Sequence, residues 1–410
     1  MQIRRILTLL TIGLSILCFS CSATTGGDSD PNAGKTEIDY EVFVTHLLTE
    51  DSNIFTKNNV IVTAIYDDGT TGTVTDFTIE PASFEVTVGN GTEFTFKRGN
   101  DIRTFKAFKA NQNTTDNIIK DGSVYKFGDF AKTKLTSTAG IVFSDNIARN
   151  GWYIGSDGNY YGKVGTDYYK VEPIEWDLYT DNYNGKKLLV THNIIYGGLL
   201  YSESTQDRII QGKTVYSNNY EYSNLRAFLN GKTLYLDDGT TSDKYKVSNF
   251  LNMAFTDSAK NKILTTTVKN DGNSSNDPTN TGWSRIDGTK NNDENGNPLN
   301  EPTNMTPYTC SDTQDKVFAL SVFDCTNTIY GVASDCEGNS PNLNRRVTEF
   351  SEALGVYNES DIGYYMIRTP YYKQADMIRY VQIGHCYRSI LLSDSTLGVV
   401  PAIVVNTLPE

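Results

Sequence analysis

The sequence predicts a mixed fold, in which an all-β sandwich precedes a larger domain of the α+β class. In residues 37–110, apolar and polar side chains alternate at period two, which is the pattern of half-buried strands. Residues 112–408 mix such strands with short helical patterns, and this stretch is too long for a second sandwich of the same size. We therefore expect two domains with different architectures.

The first 20 residues are predicted to be a secretory signal peptide. Two arginines precede an apolar run from Ile6 to Leu17, which is too short to cross a bilayer. The end of this segment, with Ser20 directly before Cys21, resembles a bacterial lipoprotein signal. That resemblance implies that Cys21 is lipidated and becomes the mature N-terminus, and a plain secreted protein is the alternative. Residues 21–36 are small and polar, so we expect a flexible tether.

The charge balance argues against several partners. The formal net charge is −13, and loss of the signal peptide would remove two arginines and no acids. Phosphate backbones and anionic lipid head groups repel such an acidic chain. We therefore expect no nucleic-acid partner, and we expect membrane contact only through the lipid anchor.

Four cysteines follow residue 21, and an exported protein meets an oxidising environment that favours disulfides. These disulfide candidates are Cys310, Cys325, Cys336 and Cys386. Four cysteines allow three pairings, and the sequence leaves all three open. None of these cysteines forms a C-x-x-C pair and the chain has only three histidines, so no zinc site is predicted.

Two turn signals organise the predicted sandwich. Asp68-Gly69 interrupts VIVTAIYDDGTTGTVTDFTI and Asn90-Gly91 interrupts FEVTVGNGTEFTF, and both dipeptides are typical of two-residue β-hairpin turns. Short strands joined by such turns bury a core by packing two sheets face to face. Residues 37–110 resemble the bacterial immunoglobulin-like (Ig-like) domains, and this resemblance implies a spacer in a surface protein.

Local signals predict several elements of the second domain. GWYIGSDGNYYGKVGTDYYKVEPIEW (151–176) predicts three strands separated by turns, the first turn at Asp157-Gly158. EYSNLRAFLNG (221–231) predicts a helix that begins after Ser223 and ends at Gly231. We also predict a helix in TEFSEALG (348–355), two helical turns in 249–264 that are broken near Thr256-Asp257, and a long polar loop at 269–308.

Six motifs are distributed over most of residues 120–406: DGNYY (157–161), YKVEPIEW (169–176), NYEYS (219–223) with LRAFLN (225–230), DKVFALS (315–321), RTP (368–370) and GVVPA (398–402). In this order they resemble a domain of unknown function that is abundant in spirochaete-type and other bacterial surface lipoproteins, often behind an Ig-like module. That family is in turn similar to the C-type-lectin-like and formylglycine-generating-enzyme-like folds, whose closing strands carry Arg-x-Pro and then Gly-Val-x-Pro-Ala. The resemblance implies a C-type-lectin-like α+β fold for residues 112–408. The chain departs from the family at 364–367, where Tyr-Tyr-Met-Ile replaces the usual tryptophans.

Arg368 is predicted to be a structural clamp. Its guanidinium has five donors and lies between an apolar strand and a proline, so it needs carbonyl and carboxylate acceptors nearby. Asp315 or Glu172 is the predicted carboxylate partner. Direct contact with a ligand is the alternative.

The segment YYKQADMIRYVQIGHCYRS (371–389) is the predicted ligand-binding surface. It concentrates tyrosines and charged side chains, which is the composition of recognition surfaces. In similar lectin-like display proteins the ligand surface also lies late in the chain. The alternative is that alternate residues of these strands simply face solvent. The predicted contact residues are Tyr371, Tyr372, Lys373, Asp376, Arg379, Tyr380, His385, Tyr387 and Arg388.

The sequence contains no catalytic motif of a known class. G-x-S-x-G, H-E-x-x-H and a glycine-rich phosphate loop are all missing. His385 and Cys386 would point to opposite faces of a strand, so they form no catalytic couple. DENGN (293–297) has alternating oxygen ligands, but Pro298 stands where a calcium loop needs glycine. We predict no cofactor and no enzyme activity, with calcium at 293–304 as an alternative.

These observations predict an exported protein, lipid-anchored to the cell envelope at the outer membrane and exposed at the surface. Its C-terminal domain is expected to act in adhesion by contacting a glycan or a protein on another cell or matrix. One alternative is a periplasmic or surface enzyme that acts on cell-wall or glycan substrates through two carboxylates. The other is a purely structural envelope lipoprotein.

Overall fold

A computed structural model gives the structure of this chain, which is largely β, with 47% strand and 12% helix. This confirms the strand-rich composition that the sequence predicts. The structure describes residues 34–44, 47–48, 53–67, 71–86, 91–110, 115–144, 151–203, 206–210, 212–236, 238, 240–246, 248–270, 311–332, 339–371 and 375–410. The signal peptide, Cys21, most of the tether, the calcium candidate at 293–304, Cys310 and Cys336 lie outside the described residues.

Within the described ranges, ten strands belong to the N-terminal part. They are β1 (Glu37–Val44), β2 (Leu47–Leu48), β3 (Ile54–Thr56), β4 (Val60–Tyr66), β5 (Thr71–Val74), β6 (Thr78–Glu80), β7 (Ser83–Glu85), β8 (Thr92–Arg98), β9 (Asp101–Ala107) and β10 (Lys109–Ala110). The strands β1, β4 and β5 form one antiparallel sheet, and β6, β8 and β9 form another. Inward-facing valines and phenylalanines of residues 42–107 form their apolar core, as alternating side chains require.

The two predicted hairpin turns have different outcomes. Strands β4 and β5, on either side of Asp68-Gly69, pair antiparallel as predicted. The prediction of a hairpin at Asn90-Gly91 is wrong, because β7 pairs with β3, whereas β8 pairs with β6 and β9. The strands on either side of this dipeptide therefore belong to different sheets, because each has its partner elsewhere.

Among the described residues, 21 strands belong to the C-terminal part. They are β11 (Ile119–Asp121), β12 (Val124–Lys134), β13 (Tyr153–Ile154), β14 (Tyr160–Val164), β15 (Asp167–Tyr183), β16 (Lys186–Thr191), β17 (Asn193–Ile194), β18 (Arg208–Ile210), β19 (Lys213–Val215), β20 (Leu234–Tyr235), β21 (Thr241–Ser242), β22 (Thr266–Val268), β23 (Thr313–Asp315), β24 (Val317–Phe318), β25 (Arg346–Val347), β26 (Asn358–Glu359), β27 (Ile362–Gly363), β28 (Tyr365–Pro370), β29 (Met377–Gln382), β30 (His385–Leu391) and β31 (Ala402–Val405).

In the part of the chain that the structure describes, five short α-helices accompany these strands: α1 (Asn224–Asn230), α2 (Phe250–Ala254), α3 (Asp257–Lys260), α4 (Val322–Thr326) and α5 (Glu349–Ala353). The predicted limits of α1 are confirmed. Ser223 Oγ accepts from the Arg226 amide, and Gly231 takes the left-handed φ of +66° that ends the helix. The predicted break between α2 and α3 is also confirmed, because Thr256 caps α3.

The centre of the C-terminal part is an eight-stranded sheet in the order β11-β12-β15-β16-β31-β24, with β14 beside β15 and β13 beside β14. The three predicted strands of residues 151–176 are β13, β14 and the start of β15, and they pair as consecutive antiparallel neighbours. The closing strand β31 inserts between β16 and β24. Two smaller sheets, β17-β25-β27-β26 and β28-β29-β30, carry the late part of the chain.

The cysteine prediction requires a correction. Cys386 is disulfide-bonded, but Cys325 has a free thiol. Cys325 lies in α4 with 1% of its surface exposed, and it packs in the main apolar core as a small hydrophobic residue. Its inclusion among the disulfide candidates is therefore wrong.

Across the described ranges, no helix has the length and apolar character that crossing a membrane requires.

Candidate functional site

Arg368 is a buried cation held on several sides. One terminal nitrogen donates to the Ala319 carbonyl at 2.6 Å and to Asp324 Oδ2 at 2.8 Å. The other donates to the Lys269 carbonyl at 3.4 Å. With 4% of its surface exposed, Arg368 connects β28 to the segment before α4 and to the end of β22. This is the geometry that a clamp requires.

The predicted carboxylate partners of Arg368 are wrong. Asp315 forms a bidentate pair with Arg226, whose Nε lies 3.0 Å from both carboxylate oxygens. Glu172 accepts a hydrogen bond from Thr133 Oγ1 at 2.6 Å. The partner is Asp324 because the cap of α4 brings this carboxylate to the end of the Arg368 side chain.

The predicted ligand surface is described only in part. Tyr372 and Lys373 lie outside the described residues, as do the side chains of Tyr387 and Arg388. Tyr371, Asp376, Tyr380 and His385 are half-buried. Arg379 is only 3% exposed, and its guanidinium lies 4.8 Å from the centre of the Tyr371 ring. The prediction that Arg379 contacts a ligand directly is therefore wrong, because Arg379 occupies an inward-facing position of β29 and is buried there.

A row of three tyrosines crosses this region, and we call Tyr357, Tyr364 and Tyr380 the tyrosine row. The Tyr357 and Tyr364 rings lie 5.0 Å apart between centres, and the Tyr364 and Tyr380 rings 5.9 Å apart. Tyr357 is 51% exposed, whereas Tyr364 is 8% exposed. The row therefore presents one open aromatic face that is supported from beneath by a second ring.

Two polar side chains converge on the hydroxyl at the centre of the row. Tyr364 donates to Glu359, and Gln382 Nε2 donates to the Tyr364 oxygen at 2.8 Å. Burial and the hydrogen bond to Glu359 raise the pKa of Tyr364 to about 12, so the phenol stays protonated at neutral pH. The Tyr380 hydroxyl bonds the same Gln382 at 3.3 Å. The tyrosine row thus has a carboxylate and an amide at its edge.

Both polar residues directly precede two-residue hairpin turns. Glu359 pairs with Ile362, and Ser360 and Asp361 between them have φ of +52° and +68°. Gln382 pairs with His385, and Ile383 and Gly384 between them have φ of +44° and +75°. A left-handed φ is rare for non-glycine residues, and above all for a β-branched one, and such strained residues cluster at functional sites.

Sequence reasoning found Tyr380 but missed Tyr357, Tyr364, Glu359 and Gln382. Tyr357 lies before β26, outside the segment chosen for its composition, and it reaches Tyr364 because β26 and β27 pair antiparallel. The available signal was the position of Tyr357 and Tyr364 on either side of Ser360-Asp361, which are residue types common in turns.

A second feature is a groove beside β15, which we call the sheet groove. The residues that line it are Phe130, Ala131, Lys132, Glu172, Pro173, Ile174, Glu175, Asn193, Ile195 and Thr348. It therefore combines an apolar floor with two carboxylates, one ammonium and one amide.

Next to the groove, His192 Nδ1 lies 2.8 Å from Asp177 Oδ1, and Arg345 lies behind Asp177 at 3.5 Å. The hydrogen bond to Asp177 raises the pKa of His192. Burial alone would raise the pKa of Asp177, but the bond to His192 and the charge of Arg345 outweigh burial, so this pKa is lowered. The pair is a surface ion pair at mildly acidic pH.

Among the described residues, no group of three or more His, Cys, Asp or Glu side chains could hold a metal ion. The polar side chains of the tyrosine row and of the sheet groove are those of hydrogen-bonding sites.

Comparison with curated proteins and with solved structures gives no match. Residues 184–407 match a family model described as a domain of unknown function, DUF6273. This match covers more than half of the chain and includes α1, the Arg368 clamp, the tyrosine row and the closing strand. The chain therefore belongs to the DUF6273 family.

Proposed function

We propose that this protein is exported and lipid-anchored to the cell envelope, and that its C-terminal part binds a glycan or protein ligand at the surface. We further propose that the N-terminal strands are an Ig-like spacer and that the C-terminal part is organised like a C-type lectin. The separate apolar core of residues 42–107 supports a spacer. The insertion of the late strand β31 into the central sheet supports the lectin-like organisation.

The tyrosine row is the observation that carries the binding proposal. An exposed ring backed by a second ring is rigid, so little side-chain entropy is lost when a ligand covers it. Glu359 and Gln382 supply directional acceptors and donors at the edge of the row. Together they offer a flat apolar face and a polar rim, which is the arrangement of recognition surfaces.

Substitution of Tyr357 tests this proposal. No hydrogen bond joins the Tyr357 hydroxyl to another described residue, so Tyr357→Phe keeps the ring face and is the matched control for Tyr357→Ala. The chain from residue 22 is applied to a glycan array and to cells, with calcium and with a chelator. We expect Tyr357→Ala to lose binding and Tyr357→Phe to retain it. Equal binding by Tyr357→Ala would contradict the site, and loss on chelation would redirect attention to residues 293–304.

The anchor has its own test. Cells that express the full chain are labelled with palmitate, and the wild type is compared with Cys21→Ser. We expect label only in the wild type, together with extraction into detergent. Labelled Cys21→Ser protein, or unlabelled wild type, would contradict the lipid anchor and leave the ligand proposal standing.

A further inference from the structure

The N-terminal part contains a buried lysine. Lys109, in β10, is only 7% exposed, and it follows Ala107, a fully buried member of the core of residues 42–107, by two positions. Side chains two positions apart in an extended chain point to the same side, so Lys109 lies on the side of that core. Its Nζ donates to Asn53 Oδ1, and no carboxylate forms an ion pair with it among the described residues. Lysine is almost never buried without a partner of opposite charge.

A carboxylate lies next to the other polar atom of the same amide. Asn53 Nδ2 is 3.4 Å from Glu85 Oε1. Strand pairing holds these groups together, because β3 pairs with β7 in the register that sets Ile54 opposite Glu85. Thr92 Oγ1 donates to the Glu85 carbonyl, and Thr92 pairs with Ala107 of the strand that leads to Lys109. An amine, an amide and a carboxyl group therefore meet from three separate segments of the chain.

This geometry suits a reaction at the Asn53 amide. Contact with Oδ1 places the Lys109 amine beside Cγ, because the carbon and oxygen of a carbonyl are only about 1.2 Å apart. Reacting groups that are fixed in this way react as if they were at very high concentration. The uncharged amine of lysine is a nucleophile toward carbonyl carbon, and a carboxyl group beside the leaving nitrogen can supply the proton that this nitrogen needs.

We propose that Lys109 and Asn53 form a covalent amide bond, with Glu85 as the acid–base group. The Nζ–Cγ bond forms and the Cγ–Nδ2 bond breaks. Glu85 gives a proton to Nδ2, which leaves as ammonia, and recovers a proton from water because its side chain is exposed. Nζ keeps one hydrogen in the new amide and releases its others to water. The step changes no oxidation state, so it needs no oxidant and no further reactant.

The bond joins residues that are 56 positions apart and closes a loop that contains β3 to β9. Closure of such a loop restricts the unfolded chain and thereby stabilises the fold. Tension between the two ends of the chain would pass through the bond and bypass these strands. This inference does not depend on the ligand or on the lipid anchor proposed above.

Intact mass spectrometry of the reduced and denatured chain from residue 22 is the test. We expect a mass that is lower than the mass of the sequence by one ammonia molecule. Digestion with trypsin should give residues 36–57 linked to residues 107–120, without cleavage after Lys109. A wild-type mass equal to that of the sequence would overturn the proposal.

A second lysine–asparagine contact in the same chain is the internal control. Lys262 Nζ donates to Asn117 Oδ1, but Lys262 is only half-buried, and no described carboxylate accepts a hydrogen bond from Asn117 Nδ2. Residues 110–120 should therefore not be linked to residues 261–269. If this link formed in place of the first one, the requirement for a buried amine and a neighbouring carboxyl group would be wrong.

Variants assign the loss of ammonia to particular residues. Lys109→Arg and Glu85→Gln should both keep the full mass of their sequences. Lys106→Arg and Glu93→Gln are the matched controls, because these residues form a surface pair 3.6 Å apart, and both variants should still lose one ammonia. Near-ultraviolet circular dichroism checks that each variant is folded.

Two results with the variants would contradict the proposal. Loss of ammonia in folded Lys109→Arg would mean that the loss occurs at another asparagine, and it would overturn the cross-link. Complete cross-linking in Glu85→Gln would overturn the role of Glu85.

Discussion

Asp324 collects three donors on one carboxylate oxygen inside the protein. The amide and the hydroxyl of Ser321 bond Oδ2 at 2.8 and 2.9 Å, and Arg368 bonds the same atom at 2.8 Å. Both charged side chains are almost fully buried, with 4% and 2% of the Arg368 and Asp324 side chains exposed. Burial of an ion pair costs free energy of desolvation. Removal of only one partner costs much more stability, because the remaining charge is then buried without a partner.

We therefore expect Asp324→Asn to lower the free energy of unfolding by about 3–5 kcal/mol. Urea unfolding followed by circular dichroism measures this change. Asp257→Asn is the control, because its carboxylate is 96% exposed in a pair with Lys260 and should contribute less than about 1 kcal/mol. A loss in Asp324→Asn no larger than that of the control would contradict the clamp.

Asp129 is another buried acid, and no basic side chain pairs with it among the described residues. It accepts hydrogen bonds from the amide and hydroxyl of Thr115 at 2.9 and 3.5 Å. Burial raises the pKa of Asp129 to about 7, although the bonds from Thr115 oppose this effect. The folded state therefore keeps the proton that the unfolded chain would lose near pH 4.

The sign of the pH dependence follows from this raised pKa. As pH rises from about 4 to about 7, the unfolded chain ionises first, so Asp129 destabilises the fold increasingly and up to about 4 kcal/mol. Asp129→Asn removes this ionisation, so its stability relative to wild type should rise over that pH range and then level off. Urea midpoints at several pH values measure the difference. A difference that does not change with pH would contradict the raised pKa.

At the scale of elements, two β-hairpins have two-residue turns with the same left-handed backbone geometry but with different residues. The turn between β15 and β16 has Asn184 and Gly185 at φ of +53° and +76°, which is the favoured pair for a type I′ turn. The turn between β26 and β27 has Ser360 and Asp361 in the same left-handed region. Left-handed backbone costs a side-chain-bearing residue about 1–2 kcal/mol.

The double substitution Ser360→Asn with Asp361→Gly should therefore stabilise the protein by about 1 kcal/mol. The reciprocal change, Asn184→Ser with Gly185→Asp, is the matched control and should destabilise it by a similar amount. Thermal unfolding of both variants beside the wild type provides the measurement. Equal melting temperatures for all three would show that the fold absorbs the strain elsewhere.

At the scale of the whole molecule, the described residues form two large apolar clusters, one from residues 42–107 and one from residues 127–405. A small third cluster joins Phe108 and Ala110 to Ile154, and Tyr160 packs against it. Contacts within each large cluster are extensive, so each should unfold as its own cooperative unit.

Calorimetry of the chain from residue 22 should therefore show two transitions. Removal of residues 22–110 should abolish one transition and leave the midpoint of the other within a few degrees. A single transition in the longer chain would instead mean that the small third cluster couples the two parts fully.

The sequence by itself determined the features that depend on near neighbours. The limits of α1, the break at Thr256 and the three strands of residues 151–176 follow from caps, turn dipeptides and side-chain periodicity, which act over a few residues. The same kind of local signal indicated that Arg368 needs carbonyl and carboxylate acceptors nearby.

Only the tertiary structure decided which distant groups meet. It separated β7 from β8 across Asn90-Gly91, gave Arg368 the carboxylate of Asp324, left Cys325 unpaired in the core and brought Tyr357 to Tyr364 and Tyr380. Such contacts depend on strand pairing and packing between segments far apart in the chain, and many partners are chemically equivalent in sequence. The physical reason is that the residues next to a carboxylate or a ring in sequence do not identify its partner, so the tertiary geometry alone determines which groups meet.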